Sequence, residues 1–461
     1  NWARTFRWQP SRTYVPETDA DVANLVRDAR RARAVVRVVG ARHSPSDIAA
    51  TPDADAMLGR PGFAVRMHRM ANIVHIDRAR LTVTAQAGIT LEALSVALDR
   101  AGLALENLGS IAEQTVAGSM ATGTHGAGSR FGVLSSTALE IVLITGTGER
   151  RVLRRDDPDP DAFRAALCSL GCLGIVVQVT LRVVPAFQLA VVEGELDFAT
   201  MAQQLPSLLA QSDHTRLWWM PPTDRVLAQY ARRITPPAAD ASLPPPPTRP
   251  RPGWVRGSLI PHHLYEASLY AATWMPRLLA PLDPYAAIAH ADAHSIPRGR
   301  SFEMFKLDCL FKQYVTEWCV PLADAARVLT ALRDAIRAAG PAVAGAVHAP
   351  IEIRSVAADD ALLSPATASS TPAATAAPFV YIGIITYRPY GADAPGRARY
   401  WALYEAILRQ RGGRPHWAKA FPLGPAELAR LYPETWATFQ RVRASCDPDN
   451  VFTNAYVRRH L

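Results

Sequence analysis

Three sets of residues in the chain have types and spacing suited to chemistry. In Ile351-Glu352-Ile353-Arg354, a two-residue period puts a carboxylate and a guanidinium on one face of a strand and two isoleucines on the other. Such a pair is either an exposed, salt-bridged strand face or a site where the guanidinium meets developing negative charge and the carboxylate orients a donor, and the spacing supports both equally. His43 lies in the small, polar turn Gly40-Ala41-Arg42-His43-Ser44-Pro45-Ser46. Turn histidines are ordinarily solvated or hydrogen-bonded, but a neutral imidazole is also a nucleophile. That turn and the glycine-dense stretch 118–128 are rich in Gly, Ser and Thr and lie next to strands, so their exposed N–H groups and hydroxyls either cradle a diphosphate or form plain tight turns. A dinucleotide fingerprint is absent, because Gly146-Thr147-Gly148 runs into Glu149-Arg150-Arg151, and there is no Walker A sequence.

The elements that must position these residues read as mixed α and β. Asp19 to Ala34 has a helical apolar pattern with acidic residues first and arginines last, and a buried strand, 35–39, follows and feeds the His43 turn. Strands are predicted at 73–76, 81–87, 139–144 and 174–184, with a helix at 91–101. Beyond Pro185 the texture changes. Strand-like stretches at 305–310, 351–354 and 379–387 and an amphipathic helix at 322–338 point to a second α+β domain. Two compositionally biased stretches, the proline-rich 236–256 and the Ala/Ser/Thr-rich 364–378, read as insertions. The apolar helix at 262–282 fits a buried cap helix better than a membrane-surface one.

Charge narrows the function classes. The chain of 461 residues carries a net charge of +9, yet only Lys306, Lys312 and Lys419 are lysines among its 50 basic residues. Arginine is spread along the whole length without a stripe or interleaved aromatics, which argues against a nucleic-acid partner and makes each lysine worth notice. Five cysteines without a CxxC pair indicate neither a disulfide framework nor a metal site, and fit a reducing compartment. No apolar run is long enough to span a membrane. The chain begins at Asn1 rather than Met, so the lack of a visible targeting segment carries no information.

Five motifs in order give the chain a resemblance. Val39 to Asp47, Glu106 to Gly118, Ala121-Thr122-Gly123-Thr124-His125-Gly126, Gly413-Arg414-Pro415-His416-Trp417-Ala418-Lys419 and Asp447 to Phe452 resemble the aldonolactone oxidoreductases, a group of vanillyl-alcohol-oxidase-like FAD flavoproteins. Asp308 to Gln313 and Tyr381 to Pro389 most resemble its fungal lactone-oxidising branch. The resemblance implies an α+β fold: a two-lobed FAD-binding domain at 1–187, a cap or substrate domain at 188–410, and a segment at 411–461 returning to the first domain and the active site.

The resemblance also assigns residues. FAD falls to Gly40, Ala41, Arg42, His43, Ser44, Pro45, Gly109, Ser110, Gln114, Thr115, Gly118, Thr122, Gly123, Thr124, His125, Ile175 and Val177, with His43 joined covalently to the flavin 8α-methyl. Arg42 departs from the Gly common in relatives, so the turn is tighter or lends its cation to the diphosphate. Glu352, Arg354 and Lys419 become catalytic, His416 and Ser110 substrate-binding, and no metal is implied. Gly109, where oxygen-excluding dehydrogenases carry Ala, leaves a path for O2. The implied reaction takes hydride from C2 of a sugar 1,4-lactone to flavin N5, with O2 reduced to H2O2 and an ascorbate-type product. Oxidation of an alditol, or a dehydrogenase using cytochrome c, are the alternatives. An intracellular, mitochondrial and peripherally membrane-associated location is implied by the relatives, while the residues set no oligomeric state.

Overall fold

The computed structural model describes residues 1–51, 54–55, 59–234, 260–275, 298–307, 311–368 and 376–461. The proline-rich stretch 236–256, residues 276–282 of the apolar helix and residues 308–310 lie outside the described residues.

Helix Asp19–Arg31 starts where Thr18 and Asp21 form a capping box and ends on Arg30 and Arg31, with Val22, Leu25, Val26 and Ala29 buried. That face packs with Val36, Phe63 and Val65 of a four-stranded sheet, in which Arg12–Tyr14 and Val35–Val38 both run parallel to Arg60–Val65. The same apolar cluster takes in Val142, Ile144, Ile175 and Val177 of a second, antiparallel sheet. Its order is Ile73–Asp77, Thr82–Gln86, Gly174–Arg182, Ala138–Thr145 and Arg150–Arg154. Helix Leu91–Arg100 ends at Gly102, whose φ of +72° is the left-handed conformation that stops a helix cheaply.

From Gln188 onward the chain builds one antiparallel sheet of eight strands. The order is Arg298–Arg300, Gln188–Asp197, Arg225–Ile234, His214–Met220, Ile351–Val356, Phe379–Tyr387, Gln313–Pro321 and Arg414–Pro415. Helices Phe198–Ala210, Leu322–Ala339 and Arg397–Gln410 pack against one another and join Trp318, Ile353 and Ile382 in the main core. Because strand side chains alternate, the residues between these point to the other face, which carries Glu317, Tyr381 and Arg354.

One expectation changes. No strand covers 305–307: Ser301–Met304 is a helical turn capped by Phe305, since Phe302 and Phe305 recur at a spacing of three and bury together. The patch 364–378 is packed at its start. Ser364, Ala366 and Thr367 are buried, Ser364 donates to Asp359, and Arg414 Nη1 donates to the Thr367 carbonyl at 2.8 Å, so its start is a packed turn, while 369–375 lie outside the described residues.

Candidate active site

The two glycine-bearing turns meet around a cavity of about 340 Å³. Gly40, Ala41, Arg42, His43, Ser44 and Ser46 line one side, and Gln114, Thr115, Gly118 and Thr122 the other. Their approach requires glycine at 40, where a Cβ would lie 2.7 Å from Thr115 Oγ1, and within the second turn a Cβ on Gly118 would lie 2.8 Å from the same atom. Arg42 has a φ of +63°, which explains why glycine suits that position; its side chain is exposed at the rim. The strand beneath alternates, so Gly174 and Val176 line the cavity, while Ile175 and Val177 send their side chains into the core instead. Pro45, Gly109, Ser110, Gly123, Thr124 and His125 do not line it.

The cavity contains groups that call for a polar, anionic occupant. Buried Arg37 donates to the carbonyls of Leu170, Gly171 and Phe452, yet its Nε has no hydrogen-bond partner among the described residues; Ser46 Oγ has none either. Burial pulls the Arg37 pKa down to about 10, so it stays charged at neutral pH. A diphosphate fits this combination of guanidinium, hydroxyl and glycine cradle. His43 is half-buried and stacks at 6.2 Å on Trp2, and burial together with Lys312 lowers its pKa against the pull of Glu113. Its imidazole is therefore neutral at pH 7.

A second group of residues lies beside the cavity on the open face of the eight-stranded sheet. Glu317, Gly383 and Glu352 form one cross-strand row, and Cys319, Tyr381 and Arg354 the next. Glycine at 383 leaves the space between the two carboxylates open. Arg354 Nη2 donates to Glu317 Oε1 at 2.6 Å and lies 3.4 Å from Glu352 Oε2. The pair Glu352 and Arg354 thus shares a face, as alternation requires, but that face is largely buried rather than solvated, with Arg354 only 7% exposed. Lys419 Nζ stands 3.8 Å from Glu317 Oε2, and His125 Nε2 3.3 Å from Glu317 Oε1. Tyr381 stacks on His125 with ring centroids 3.6 Å apart.

The turn holding His416 and Lys419 is tied to both regions. His416 N donates to Glu317 O at 2.9 Å, and Ser46 N in the cavity wall donates to Ala418 O at 3.2 Å. Ala418 N donates to His416 Nδ1, so a neutral His416 carries its proton on Nε2. Gly109 stands between the regions: a Cβ there would lie 3.0 Å from Thr124 Cγ2 and 3.2 Å from the His125 carbonyl. Ser110 accepts from Leu307 N.

Electrostatics concentrate on Glu317. Burial alone would raise its carboxyl, but Arg354 above all, with Lys419 and, when it carries a proton on Nε2, His125, hold it well below the usual carboxylate range. Burial lowers His125 and, more strongly, His416, and Arg354 adds to both. Glu352 Oε1 and Arg216 Nη1 are buried without a hydrogen-bond partner among the described residues.

Sequence reasoning missed Glu317, Arg37, Arg216 and the role of His125 in this cluster. One signal was available for Glu317: a single carboxylate inside the run Tyr314-Val315-Thr316-Glu317-Trp318-Cys319-Val320, where an unpaired charge would be costly.

A cavity suited to a diphosphate beside a buried guanidinium and carboxylate fits a flavin-dependent oxidoreductase, and comparison with known proteins shows that class. The family described as FAD binding domain matches residues 10–154, and that described as D-arabinono-1,4-lactone oxidase matches residues 179–460. The chain belongs to the D-arabinono-1,4-lactone oxidase family of FAD-dependent oxidoreductases. It is 34% identical to L-gulonolactone oxidase of Scyliorhinus torazame over 100% of this chain and 97% of that one. It is 32% identical to D-arabinono-1,4-lactone oxidase of Yarrowia lipolytica over 93% and 86%. Animal and fungal relatives thus stand at the same level of identity. Cholesterol oxidase from Brevibacterium sterolicum shares the fold, with a TM-score of 0.78 at 18% identity over 97% of this chain and 93% of that one.

Proposed function

We propose that the protein oxidises a sugar 1,4-lactone at C2, using FAD held in the cavity and O2 as final acceptor, so that each turnover yields H2O2 and a 2-keto lactone that enolises to an ascorbate-type enediol. The reading is carried by the unpaired Glu352 Oε1 beside Arg354, on a buried face next to the cavity. When bound, FAD supplies the hydride acceptor. Arg354 donates to the substrate oxygen as negative charge develops there, Glu352 accepts from a neighbouring hydroxyl and orients it, and Lys419 and the Nε2–H of His416 bind further hydroxyls. Ser110 adds a hydroxyl at the edge of the site. Residues 1–187 with 411–461 act as the cofactor lobe and 188–410 as the cap.

His43 is the group that would hold the flavin covalently, a role its neutral imidazole and place in the cavity wall support. The resemblance makes Gly109 the residue that admits O2 and favours oxidase over dehydrogenase; a Cβ there would press on Thr124 Cγ2 and the His125 carbonyl, so alanine would shift both. Among the described residues no helix is long and apolar enough to cross a membrane. Helix Ile260–Trp274 exposes Leu264, Tyr270 and Trp274, a surface that supports peripheral membrane contact.

The test is aerobic incubation with L-gulono-, L-galactono- and D-arabinono-1,4-lactone and a panel of alditols. One H2O2 per lactone consumed is expected. Oxidation of alditols alone would replace this reading with the alditol oxidase one, and turnover with cytochrome c but not O2 would make the protein a dehydrogenase.

A further inference from the structure

The proposed roles of Glu352, Arg354 and Lys419 leave one proton without a destination. As C2 loses hydride, its O–H bond breaks and the proton must move to a base, yet Arg354 and Lys419 are cations, the Glu352 carboxylate is taken by Arg354 and by the neighbouring hydroxyl it orients, and His416 Nδ1 already accepts from Ala418 N. The His125 and Glu317 contact has the missing capacity. His125 Nδ1 lies 3.0 Å from the Gly126 carbonyl, which can only accept, so Nδ1 carries a proton. Its Nε2 then faces Glu317 Oε1 at 3.3 Å. With His125 neutral and Glu317 ionised, two lone pairs oppose each other with room for one proton between them.

We propose that Glu317 and His125 Nε2 together form the base that takes up the proton released by the substrate hydroxyl, while the same Glu317 carboxylate holds Arg354 and Lys419 in place. The inference rests on the lactone-oxidation reading above. The bookkeeping is complete: C–H gives hydride to the oxidant, O–H gives its proton to the Glu317 and His125 pair, and the oxygen keeps the electron pair that forms C=O. The charged and titratable groups facing the pair are Arg354 and Glu352 from one strand, Tyr381 and Cys319 from its neighbours, and His416 and Lys419 from the C-terminal turn. Tyr404, behind the sheet, donates to the Ile382 carbonyl. Tyr381 stacked on His125 keeps water from the pair, so the proton stays until the substrate leaves.

A metal ion is the competing occupant, because ligating atoms of His125, Glu317 and His416 lie within 4.8 Å of one another. Glu317 is already engaged by two cations, and a divalent ion there would stand against both Arg354 and Lys419. The set is therefore better suited to a proton than to a metal.

The test uses E317Q in the full FAD-loaded protein, with histidine side-chain ¹⁵N resonances followed from pH 5 to 8 without substrate. The His125 signals are assigned by their loss in His125→Asn. In the wild type His125 Nε2 is expected to protonate within this range; in E317Q it remains neutral throughout. FAD content is unchanged, kcat falls about 100-fold, and its acid limb moves to lower pH. If E317Q does not retain FAD, E317D replaces it, with the His125 titration kept and a smaller loss in kcat. Identical His125 titration in wild type and E317Q, a wild-type kcat in E317Q, or loss of activity on chelation with recovery on adding zinc would each overturn the proposal. Because the resonance measurement needs no substrate, a lactone panel that gives no turnover would sink the lactone reading while leaving this test intact.

Discussion

The cavity proposed for the cofactor takes backbone and small side chains of two turns, 40–46 and 114–122, into its lining, whereas the cluster around Glu317 gathers charged side chains from four distant segments. In the first, recognition depends on how closely the two turns approach: glycine at 40 sets that distance, and Gly118 gives Thr115 room inside its own turn. In the second it depends on charges balancing in a buried place, with one carboxylate serving two cations and an imidazole. The two regions should therefore fail separately: steric change in the turns should cost the cofactor, and charge change on the sheet should cost the reaction.

The largest effect is expected from Gly40→Val. Its branched side chain enters the space held by Thr115 Oγ1, so the purified protein should lack FAD, read as the ratio of flavin absorbance to protein, and have no activity. Full flavin content in this variant would break the contrast from the cavity side. Next comes covalent attachment: after acid precipitation of the wild type the yellow colour should stay with the protein, and in His43→Ala it should pass into the supernatant. A smaller change is expected from Gly109→Ala, whose Cβ must push aside Thr124 Cγ2 at 3.0 Å. Reoxidation by air should slow about 10-fold or more, while anaerobic reduction by substrate is little changed.

The smallest effect concerns stability away from both regions. His214 is buried, its Nδ1 lies 2.8 Å from the Ala127 carbonyl, and burial pushes its pKa down to about 3. The unfolded chain then takes the proton first. Stability is complete above the unfolded pKa of about 6.5 and falls as pH drops toward 3, with about 2 kcal/mol lost by pH 5. Thermal unfolding at pH 7 and pH 5 checks this, and His214→Asn should flatten the dependence. An unfolding midpoint insensitive to pH in the wild type would remove His214 as its source.

The same contrast explains what was legible in the sequence. The turns are contiguous and their composition is visible, so Gly40, His43, Thr115 and Gly118 fall where their motifs indicate. Glu352 and Arg354 were legible as a same-face pair because strand alternation is local. Glu317 was not, since its role depends on a strand neighbour, Gly383, and on a guanidinium two strands away. His125 sits in a motif shared with cavity residues, yet its imidazole turns to the sheet, a choice made by Tyr381 and Glu317. Ile175 and Val177 show the same limit in reverse, since alternation was visible but not which side faced the cavity.

The central claim is that the sheet face performs the oxidation while the turns hold the cofactor. Arg354→Lys tests it most directly, because the charge beside Glu317 is kept and the planar fork is lost. Wild type and variant are mixed anaerobically with an aldonolactone and flavin absorbance is followed. Equal flavin content in both, rapid bleaching in the wild type, and bleaching slowed about 100-fold or more in the variant are expected. Bleaching at the wild-type rate, or a variant that has lost its FAD, would contradict it.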